Sequence, residues 1–217
     1  MADFAAQREQ MVREQIAGRG LDRPRLLDAF RAVPRELFVP ESVRLFAYED
    51  GPLPIEAGQT ISQPYIVARM TELLECDRAS RILEIGAGSG YQTAVLARVA
   101  GQVYAIERIA ELARQAQARI RSLGVYNATV KCFDGTMGWS AHAPYDGVLV
   151  AAGGPEVPEP LLAQLKVGGR LVIPVGASRE SQRLVRVIRE EEGYRHEEHG
   201  ACAFVPLIGR YGWSNAT

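Results

Sequence analysis

The sequence has few cysteines, little net charge and no long apolar run, and each scarcity excludes a class of protein. Its three cysteines, Cys76, Cys132 and Cys202, are far apart and form no C-x-x-C pair. This favours reduced thiols in a cytoplasmic protein over a disulfide framework. No run approaches about 18 apolar residues, and the first residues lack the apolar core of a signal peptide. A net charge of −1 indicates neither a nucleic-acid partner nor a membrane surface.

Side chains that could act as catalytic bases or metal ligands are also scarce. The chain has three histidines, and no serine lies in a G-x-S-x-G context, so a hydrolase triad is not supported. Two of the histidines lie in His196-Glu197-Glu198-His199, but this spacing differs from the helix-borne H-E-x-x-H of metalloproteases. We expect a solvated, charged turn there and no metal site.

The length and the first third of the chain predict one domain with an N-terminal extension. With 217 residues, 47% of them hydrophobic, residues 1–217 suit a single domain, which we expect to be a monomer. Residues 1–75 are predicted to form an extension of helices at 3–19, 25–33 and 66–75. Between the last two helices, residues 48–64 form an irregular stretch, and so long a loop usually has a function.

From residue 80 onward, strand patterns and helix patterns alternate. Strands are predicted at 81–85, 103–107, 128–133, 147–152 and 170–175, and helices at 92–99, 109–123 and 158–165. Such alternation is typical of βαβ units in a parallel sheet with helices on both faces. Near the end, apolar runs at 183–189 and 202–208 have no helix between them. They are predicted to form an antiparallel pair at the edge of a seven-stranded, mainly parallel sheet.

A glycine-rich turn follows the first of these strands. The segment Leu83-Glu84-Ile85-Gly86-Ala87-Gly88-Ser89-Gly90-Tyr91 runs from a strand through a tight turn into a helix, whose free N–H groups suit a nucleotide-type cofactor. Its spacing is G-x-G-x-G, and Tyr91 stands where the dinucleotide fingerprint needs glycine. The segment resembles motif I of the S-adenosylmethionine methyltransferases, in which Glu84 would face the cofactor's ammonium group. A purely structural strand–helix turn is the alternative.

Two further acids end the second and third strands of this set. Glu107 can accept hydrogen bonds from both ribose hydroxyls of a nucleotide, or it can cap the helix that begins near Ile109; we favour the ribose contact. Asp134 can bind an adenine amino group while Gly135 lets the ring approach the backbone, or Asp134-Gly135 can be a simple turn. Because Glu84 and Glu107 accompany Asp134, we favour the adenine contact for Asp134.

Together with the irregular loop, these pieces resemble the protein-L-isoaspartate (D-aspartate) O-methyltransferase family over most of the chain. The resemblance rests on Met11-Val12-Arg13-Glu14-Gln15, Val33-Pro34-Arg35-Glu36-Leu37-Phe38-Val39-Pro40, Gly58-Gln59-Thr60-Ile61-Ser62-Gln63-Pro64-Tyr65, the glycine turn, Asp134-Gly135, Ala143-Pro144-Tyr145-Asp146, the segment from Gly168-Gly169 to Gly176, and Phe204-Val205-Pro206-Leu207. The family implies a Rossmann-like α/β fold for S-adenosylmethionine-dependent methyl transfer. The cofactor residues would be Glu84, Gly86, Ala87, Gly88, Ser89, Gly90, Glu107, Arg108, Asp134 and Gly135.

The same resemblance implies the substrate site. Ser62 would be the active-site serine, with Thr60 and Ile61 lining the site and Val205 and Leu207 helping to bind an extended peptide. The reaction would be displacement of the cofactor's methyl group by a carboxylate, which is already ionised at pH 7 and needs orientation but no general base. A helix N-cap before Pro64 is the structural alternative for Ser62, and the two roles are compatible.

The resemblance implies methylation of the abnormal carboxyl of L-isoaspartyl and D-aspartyl residues in damaged proteins, which initiates their repair. Two alternatives remain open from the residues: a methyltransferase for another carboxyl or a small molecule, and a non-catalytic cofactor-binding module. One segment departs from the family pattern. Ala152-Gly153-Gly154-Pro155 stands where the family usually has alanines or an Ala-Pro pair, which we expect to loosen the pocket wall without removing a reacting group.

Overall fold

A seven-stranded sheet forms the centre of the molecule. The computed structural model describes residues 2–178 and 181–214. The central strands are β3 (Arg81–Ile85), β4 (Gln102–Glu107), β5 (Ala128–Cys132), β6 (Tyr145–Val150), β7 (Leu165–Val175), β8 (Gln182–Arg189) and β9 (Tyr194–Cys202). They lie side by side in the order β5-β4-β3-β6-β7-β8-β9. Strands β3 to β7 are mutually parallel, whereas β8 and β9 are antiparallel to their neighbours.

This strand order creates a crevice at one edge of the sheet. The chain runs outward from β3 to β4 and β5, and then returns to place β6 on the other side of β3. The connections after β3 and β6 therefore leave in opposite directions, and open α/β sheets bind ligands outside the carboxyl ends of strands at such a point. The glycine turn follows β3 and lies at this crevice.

Within the described residues, six α-helices cover the sheet and build the N-terminal part: α1 (Phe4–Gln10), α2 (Pro24–Ala32), α3 (Pro64–Leu73), α4 (Tyr91–Val99), α5 (Ala110–Ser122) and α6 (Glu159–Ala163). Helices α2, α3 and α6 each begin with a proline at one of their first two positions, where the missing N–H has no partner to lose. Helix α1 continues through a wider, π-type stretch at Met11–Ile16 into a last turn at Ala17–Arg19. The helix predicted at 3–19 is therefore confirmed, with an irregular second half.

Successive residues of the buried strands pack against different cores, because side chains alternate between the faces of a sheet. Ile82 and Leu149 belong to a large core that includes the N-terminal helices, α3 and α4. Leu83, Ile85 and Val148 belong to a second core on the opposite face, with Leu161 of α6. The prediction of a mainly parallel sheet with helices on both faces is confirmed.

The irregular loop contains a small ribbon that sequence patterns did not indicate. Strands β1 (Leu53–Pro54) and β2 (Thr60–Ile61) pair antiparallel, with Leu53 opposite Ile61. Ile61 is buried in the large core, so the ribbon is anchored to the same core as the sheet helices. Short 3₁₀ turns at Arg35–Phe38 and Glu41–Phe46 precede it.

One predicted strand is wrong. The antiparallel partner of β8 is β9, Tyr194–Cys202, and not residues 202–208. The turn at residues 190–193 is short, so the chain reverses and Tyr194 pairs at once with Arg189. Strand β9 lies at the sheet edge and is largely exposed, so it needs no apolar face. His196 and His199 consequently lie within this strand. The turn expected there from the sequence is therefore wrong.

No helix within residues 2–178 and 181–214 combines the length and the apolar character needed to cross a bilayer.

Candidate functional site

The glycine turn is fastened to the end of the neighbouring strand β4. The backbone N–H groups of Gly86 and Ala87 both donate to the carbonyl oxygen of Ile106, at 2.8 and 3.2 Å. Gly86 and Gly88 have φ values of +88° and +52°, a backbone region that glycine adopts without strain. At Gly86 and Gly88 the turn therefore presents bare backbone to the crevice.

Glu107 fixes the same turn from the end of β4. One carboxylate oxygen accepts a hydrogen bond from the Gly88 N–H, and the other accepts from the Ile109 N–H ahead of α5, both at 2.9 Å. Ile109, and not Glu107, is the N-cap residue of α5, and no side chain caps that helix. The cap interpretation of Glu107 is therefore wrong, and its carboxylate instead fixes the backbone just ahead of the helix. Because Glu107 and its neighbour Arg108 also line the cavity described below, the carboxylate remains available to ribose hydroxyls, and that contact stays a prediction.

Glu84 is fully buried in β3 next to the turn. Neither carboxylate oxygen accepts a hydrogen bond within the described residues. Burial raises the pKa of Glu84 to about 8; the Thr93 side chain opposes this rise, and the negative charge of Glu107 adds to it to a lesser extent. A buried acid without a donor suits a ligand that brings one, such as an ammonium group. Its side chain lies behind the cavity walls and does not form part of them.

The third glycine of the motif serves packing between helices. Gly90 has a φ of +89° and begins α4. A Cβ atom there would lie 3.2 Å from the Cβ of Ala116 in α5, so glycine allows α4 and α5 to approach closely. Gly90 does not reach either cavity.

Asp134 and Gly135 have different surroundings, although the sequence analysis treats them as a pair. One Asp134 oxygen accepts from the N–H and hydroxyl of Thr136, and the other accepts from the Arg210 N–H at 2.9 Å. The turn interpretation is therefore confirmed for Asp134, which also anchors the C-terminal segment. Gly135 lines the cavity beside Ile85, where an added Cβ would come within 2.4 Å of an Ile85 methyl group. The adenine contact stays a prediction.

Two adjoining cavities open at this edge of the sheet. The first, here called the Glu107 cavity, encloses about 540 Å³ of empty space and is lined by Gln59, Thr60, Ile85, Gly86, Gly88, Ile106, Glu107, Arg108, Gly135, Ala151, Ala152, Val205, Pro206, Leu207 and Ile208. The second, the Ser62 cavity, encloses about 420 Å³ and is lined by Thr60, Ile61, Ser62, Val67, Met70, Gly86, Ala87, Gly88, Ser89, Tyr91, Gln92, Ala151 and Phe204. Both share Thr60, Gly86, Gly88 and Ala151, so one cleft runs past the glycine turn.

Ser62 lies between the β1–β2 ribbon and α3, on the wall of the Ser62 cavity. Gln63, and not Ser62, is the N-cap residue of α3, and no side chain makes a capping hydrogen bond there. The N-cap interpretation of Ser62 is therefore wrong, since Pro64 already occupies the first helical position. Within residues 2–178 and 181–214 the Ser62 hydroxyl has no hydrogen-bond partner of its own, and it is free to bind a substrate oxygen.

The structure brings most of the predicted site residues to this cleft. Glu84, Gly90 and Asp134 lie outside the cavity walls and support them from behind. The sequence did not single out Gln59, Gln92, Ala151 and Phe204, which do line the cleft. Ala151 was accessible to sequence reasoning because it directly follows strand β6, whereas Gln92 and Phe204 reach the cleft only through tertiary packing.

The fold and the cleft define the class. A glycine turn after the first parallel strand, an acid at the end of the next strand and a crevice at the topological switch point are the features of an α/β methyltransferase dependent on S-adenosylmethionine. The sequence model of protein-L-isoaspartate(D-aspartate) O-methyltransferase matches residues 6–212. The chain belongs to this family, and its activity is methyl transfer from S-adenosylmethionine to the isoaspartyl carboxyl group.

Relatives and solved structures agree with this assignment. The chain is 58% identical over 207 residues to protein-L-isoaspartate O-methyltransferase 2 of Pelobacter propionicus, covering 95% of this chain and 92% of that protein. It is 53% identical to the protein-L-isoaspartate O-methyltransferase of Trichlorobacter lovleyi, covering 98% of each. A solved protein-L-isoaspartate O-methyltransferase superposes with a TM-score of 0.85 at 30% identity, covering 94% of this chain and 67% of that one.

A solved Plasmodium falciparum protein supports the fold. It was solved in complex with S-adenosyl-L-homocysteine and matches with a TM-score of 0.79 at 23% identity, over 93% of this chain and 98% of that one. The residues of the present cleft fit the cofactor, because the buried Glu84 carboxylate lacks a donor beside a turn in which Gly86 and Gly88 carry no side chain. Gly135 also lines the cleft without a side chain.

Proposed function

We propose that the two cavities divide the two reactants. The Glu107 cavity would hold the nucleoside part of S-adenosylmethionine, with Glu107 and Arg108 near the ribose and Asp134-Gly135 bordering the adenine. The glycine turn, from Gly86 through Ser89, would hold the central part, and Glu84 would compensate the charge of the ammonium group. The Ser62 cavity would receive the isoaspartyl side chain. The observation that carries this division is that Ser62 lines the cavity that also contains the glycine turn.

The lining of the Ser62 cavity supports a mechanism without a general base. Tyr91 is its one titratable residue among the described residues, and burial raises the pKa of Tyr91 to about 12. An isoaspartyl carboxylate, with a pKa of about 4, arrives ionised and needs no proton removed. When bound, S-adenosylmethionine supplies an electrophilic methyl group on a sulfonium. The protein's contribution is therefore orientation, to about 3–3.5 Å between the reacting atoms.

Ser62 would supply this orientation by donating its hydroxyl hydrogen to one carboxylate oxygen, which leaves the other free to attack. Thr60 and Ile61 would shape the same wall, because the β1–β2 ribbon fixes them in register with Leu53. Val205 and Leu207 would contact the extended peptide on either side of the isoaspartyl residue. Their position supports this role, since both line the Glu107 cavity together with Thr60, which borders both cavities.

The entire chain would act as one domain, with residues 1–75 as the extension that carries the substrate loop. A single hydrophobic core containing Met11, Ile61, Ile82 and Leu184 supports this organisation. We also propose a cytoplasmic monomer, with isoaspartyl proteins as partners and neither nucleic acid nor membrane. Three free cysteines support a reducing compartment, and light scattering of the purified protein would test the monomer.

A substitution at Ser62 tests the proposed role. Ser62→Ala should lower kcat for an isoaspartyl peptide about 10- to 100-fold, since one charge-assisted hydrogen bond orients the attacking carboxylate. The dissociation constant for S-adenosylmethionine should change less than about threefold, because the hydroxyl is unbonded and its removal leaves the glycine turn intact. Methyl transfer is measured as base-labile ester, with calorimetry for the cofactor.

Two controls make this experiment decisive. Ser140→Ala, in an exposed turn, should leave both quantities unchanged, and the peptide's normal aspartyl twin should stay unmethylated throughout. A large loss of cofactor affinity in Ser62→Ala would assign the serine to the cofactor pocket instead. Unchanged kcat would remove it from the mechanism.

A further inference from the structure

A buried glutamine clamps the C-terminal wall of the cleft. Gln182 begins β8 and is 3% exposed. Its amide nitrogen donates to the carbonyl oxygen of Phe204 at 3.0 Å, and its amide oxygen accepts from the Phe204 N–H at 2.9 Å. The side chain therefore satisfies both backbone groups of Phe204, as a neighbouring strand would. Residue 204 is thus held although the chain leaves the sheet at Cys202.

Gly153 faces the same amide and holds the following residues. Its N–H donates to the Val205 carbonyl oxygen, and its own carbonyl oxygen accepts from the Leu207 N–H, both at 2.8 Å. The Trp213 indole N–H donates to that same oxygen at 2.9 Å. Gln182 and Gly153 together fix residues 204–207, which line both cavities.

Gly153 has to lack a side chain for this clamp to exist. A Cβ atom there would lie 2.5 Å from the amide carbon, nitrogen and oxygen of Gln182. Its φ lies outside the left-handed region, so alanine would meet no backbone strain and would act only by displacing the glutamine amide. The expectation that Gly153-Gly154 loosens the wall is wrong, because glycine at 153 admits the side chain that fastens it.

We propose that Gln182 is a positioning residue for the isoaspartyl peptide, and that Gly153 is the residue that permits it to act. The inference rests on the proposed function, which assigns residues 204–207 to the peptide wall. Peptide binding needs this backbone in one place, because Phe204, whose two backbone groups the Gln182 amide holds, lines the Ser62 cavity that would receive the isoaspartyl side chain. Loss of the clamp would therefore weaken peptide binding more than cofactor binding.

A double-mutant cycle tests the coupling. Gly153→Ala and Gln182→Ala should each raise KM for an isoaspartyl peptide about tenfold, as expected for losing two hydrogen bonds to one backbone residue. The double variant should be no worse than Gln182→Ala, because the shortened side chain leaves room for the new methyl group. The dissociation constant for S-adenosylmethionine should stay within about threefold in all three. Additive losses in the double variant, or KM values equal to wild type, would overturn the proposal.

Gln182→Glu supplies a readout that a purely structural role would not change. A carboxylate can accept from the Phe204 N–H but cannot donate to the Phe204 carbonyl, whereas a protonated carboxyl does both. Burial raises the pKa of such a carboxyl, so the KM ratio of variant to wild type should fall as pH is lowered from 8 toward about 5.5. A ratio independent of pH, with only the melting temperature lowered, would contradict a positioning role. If the wild-type protein itself fails to distinguish isoaspartyl from aspartyl peptide, the proposed function has failed and not the clamp.

Discussion

Glu84 and Glu107 both lie near the carboxyl ends of strands beside the glycine turn, yet their surroundings differ. Glu107 accepts two backbone hydrogen bonds and borders the cleft. Glu84 is fully buried and has no donor within the described residues. A carboxylate in the first setting is satisfied by the protein alone, whereas one in the second destabilises the fold until a cation or a proton arrives.

The pH dependence of stability should reveal Glu84. The pKa of Glu84 is raised to about 8 in the folded protein, so the unfolded chain ionises first, near a pKa of about 4.3. Ionisation of Glu84 therefore lowers the free energy of unfolding of the wild-type protein as the pH rises from about 4.3 to about 8. Glu84→Gln should not show this decrease. The variant should match wild type near pH 4.5 and exceed it by up to a few kcal/mol near pH 8, at about 1.4 kcal/mol per pKa unit.

The measurement is urea denaturation at several pH values, with and without S-adenosyl-L-homocysteine. The ligand's ammonium group should supply the missing partner and reverse the difference at pH 7 to 8. Glu191→Gln, at an exposed carboxylate in the turn between β8 and β9, is the control and should show neither effect. A stability difference independent of pH would mean that Glu84 is ionised and already compensated.

Sequence position alone was enough to find the acids and the glycines of this site. Glu84, Glu107 and Gly135 stand at strand ends, and strand ends meet at one edge of a parallel sheet. It could not find Gln182, which begins an antiparallel strand without any motif. Its role depends on the room that Gly153 leaves, a relation visible only once β8 and the end of β6 lie together.

At the scale of elements, periodicity predicted the central strands and helices within a few residues but failed at the last strand. Residues 204–208 are apolar because they line the cleft and pack on the cores, Phe204 on the large core and Val205 and Leu207 on the second, and not because they join the sheet. Strand β9 is polar because it lies at an exposed edge. Apolar character indicates burial and not strand pairing. Here residues 204–208 are the apolar segment, whereas β9 is the segment that pairs with β8.

The spacing between α4 and α5 should depend on Gly90. Gly90→Ala places a methyl group 3.2 Å from Ala116 and also forces alanine into a left-handed conformation. Gly124→Ala, at a φ of +70° with nothing within 4 Å, carries the backbone strain alone. We expect about 1–2 kcal/mol of destabilisation for Gly124→Ala and about 1–3 kcal/mol more for Gly90→Ala.

Chemical denaturation of both variants measures this difference. The cofactor's dissociation constant should also rise in Gly90→Ala, since α4 begins at the glycine turn, and should stay unchanged in Gly124→Ala. Equal destabilisation of the two variants would show that the helix contact relaxes without resistance.

At the scale of the whole molecule, the substrate loop and the sheet share one core. Ile61 of the loop and Ile82 of β3 belong to the same group of buried residues as Met11 of the N-terminal helix. The extension should therefore unfold together with the sheet.

We accordingly expect one cooperative thermal transition, with coincident midpoints from tryptophan fluorescence and far-ultraviolet circular dichroism. Trp139 packs beside Tyr104 of the sheet, and Trp213 donates to Gly153 just after β6. Fluorescence therefore reports on the sheet, whereas circular dichroism also reports on the helices of the N-terminal extension. S-adenosyl-L-homocysteine should raise both midpoints equally. Limited proteolysis that releases residues 1–75 while the rest stays folded would contradict a single domain.

The exposed edge formed by strand β9 affects how readily the protein associates with other chains. Strand β9 is the last strand of the sheet, and exposed edges of this kind readily add further strands. Here the edge is marked by Arg195, Glu197 and Glu198, and a left-handed glycine at Gly200 accompanies a break in its register with β8. Alternating charge and irregular backbone discourage β-addition. We therefore expect the β9 edge to resist adding strands from unfolded chains.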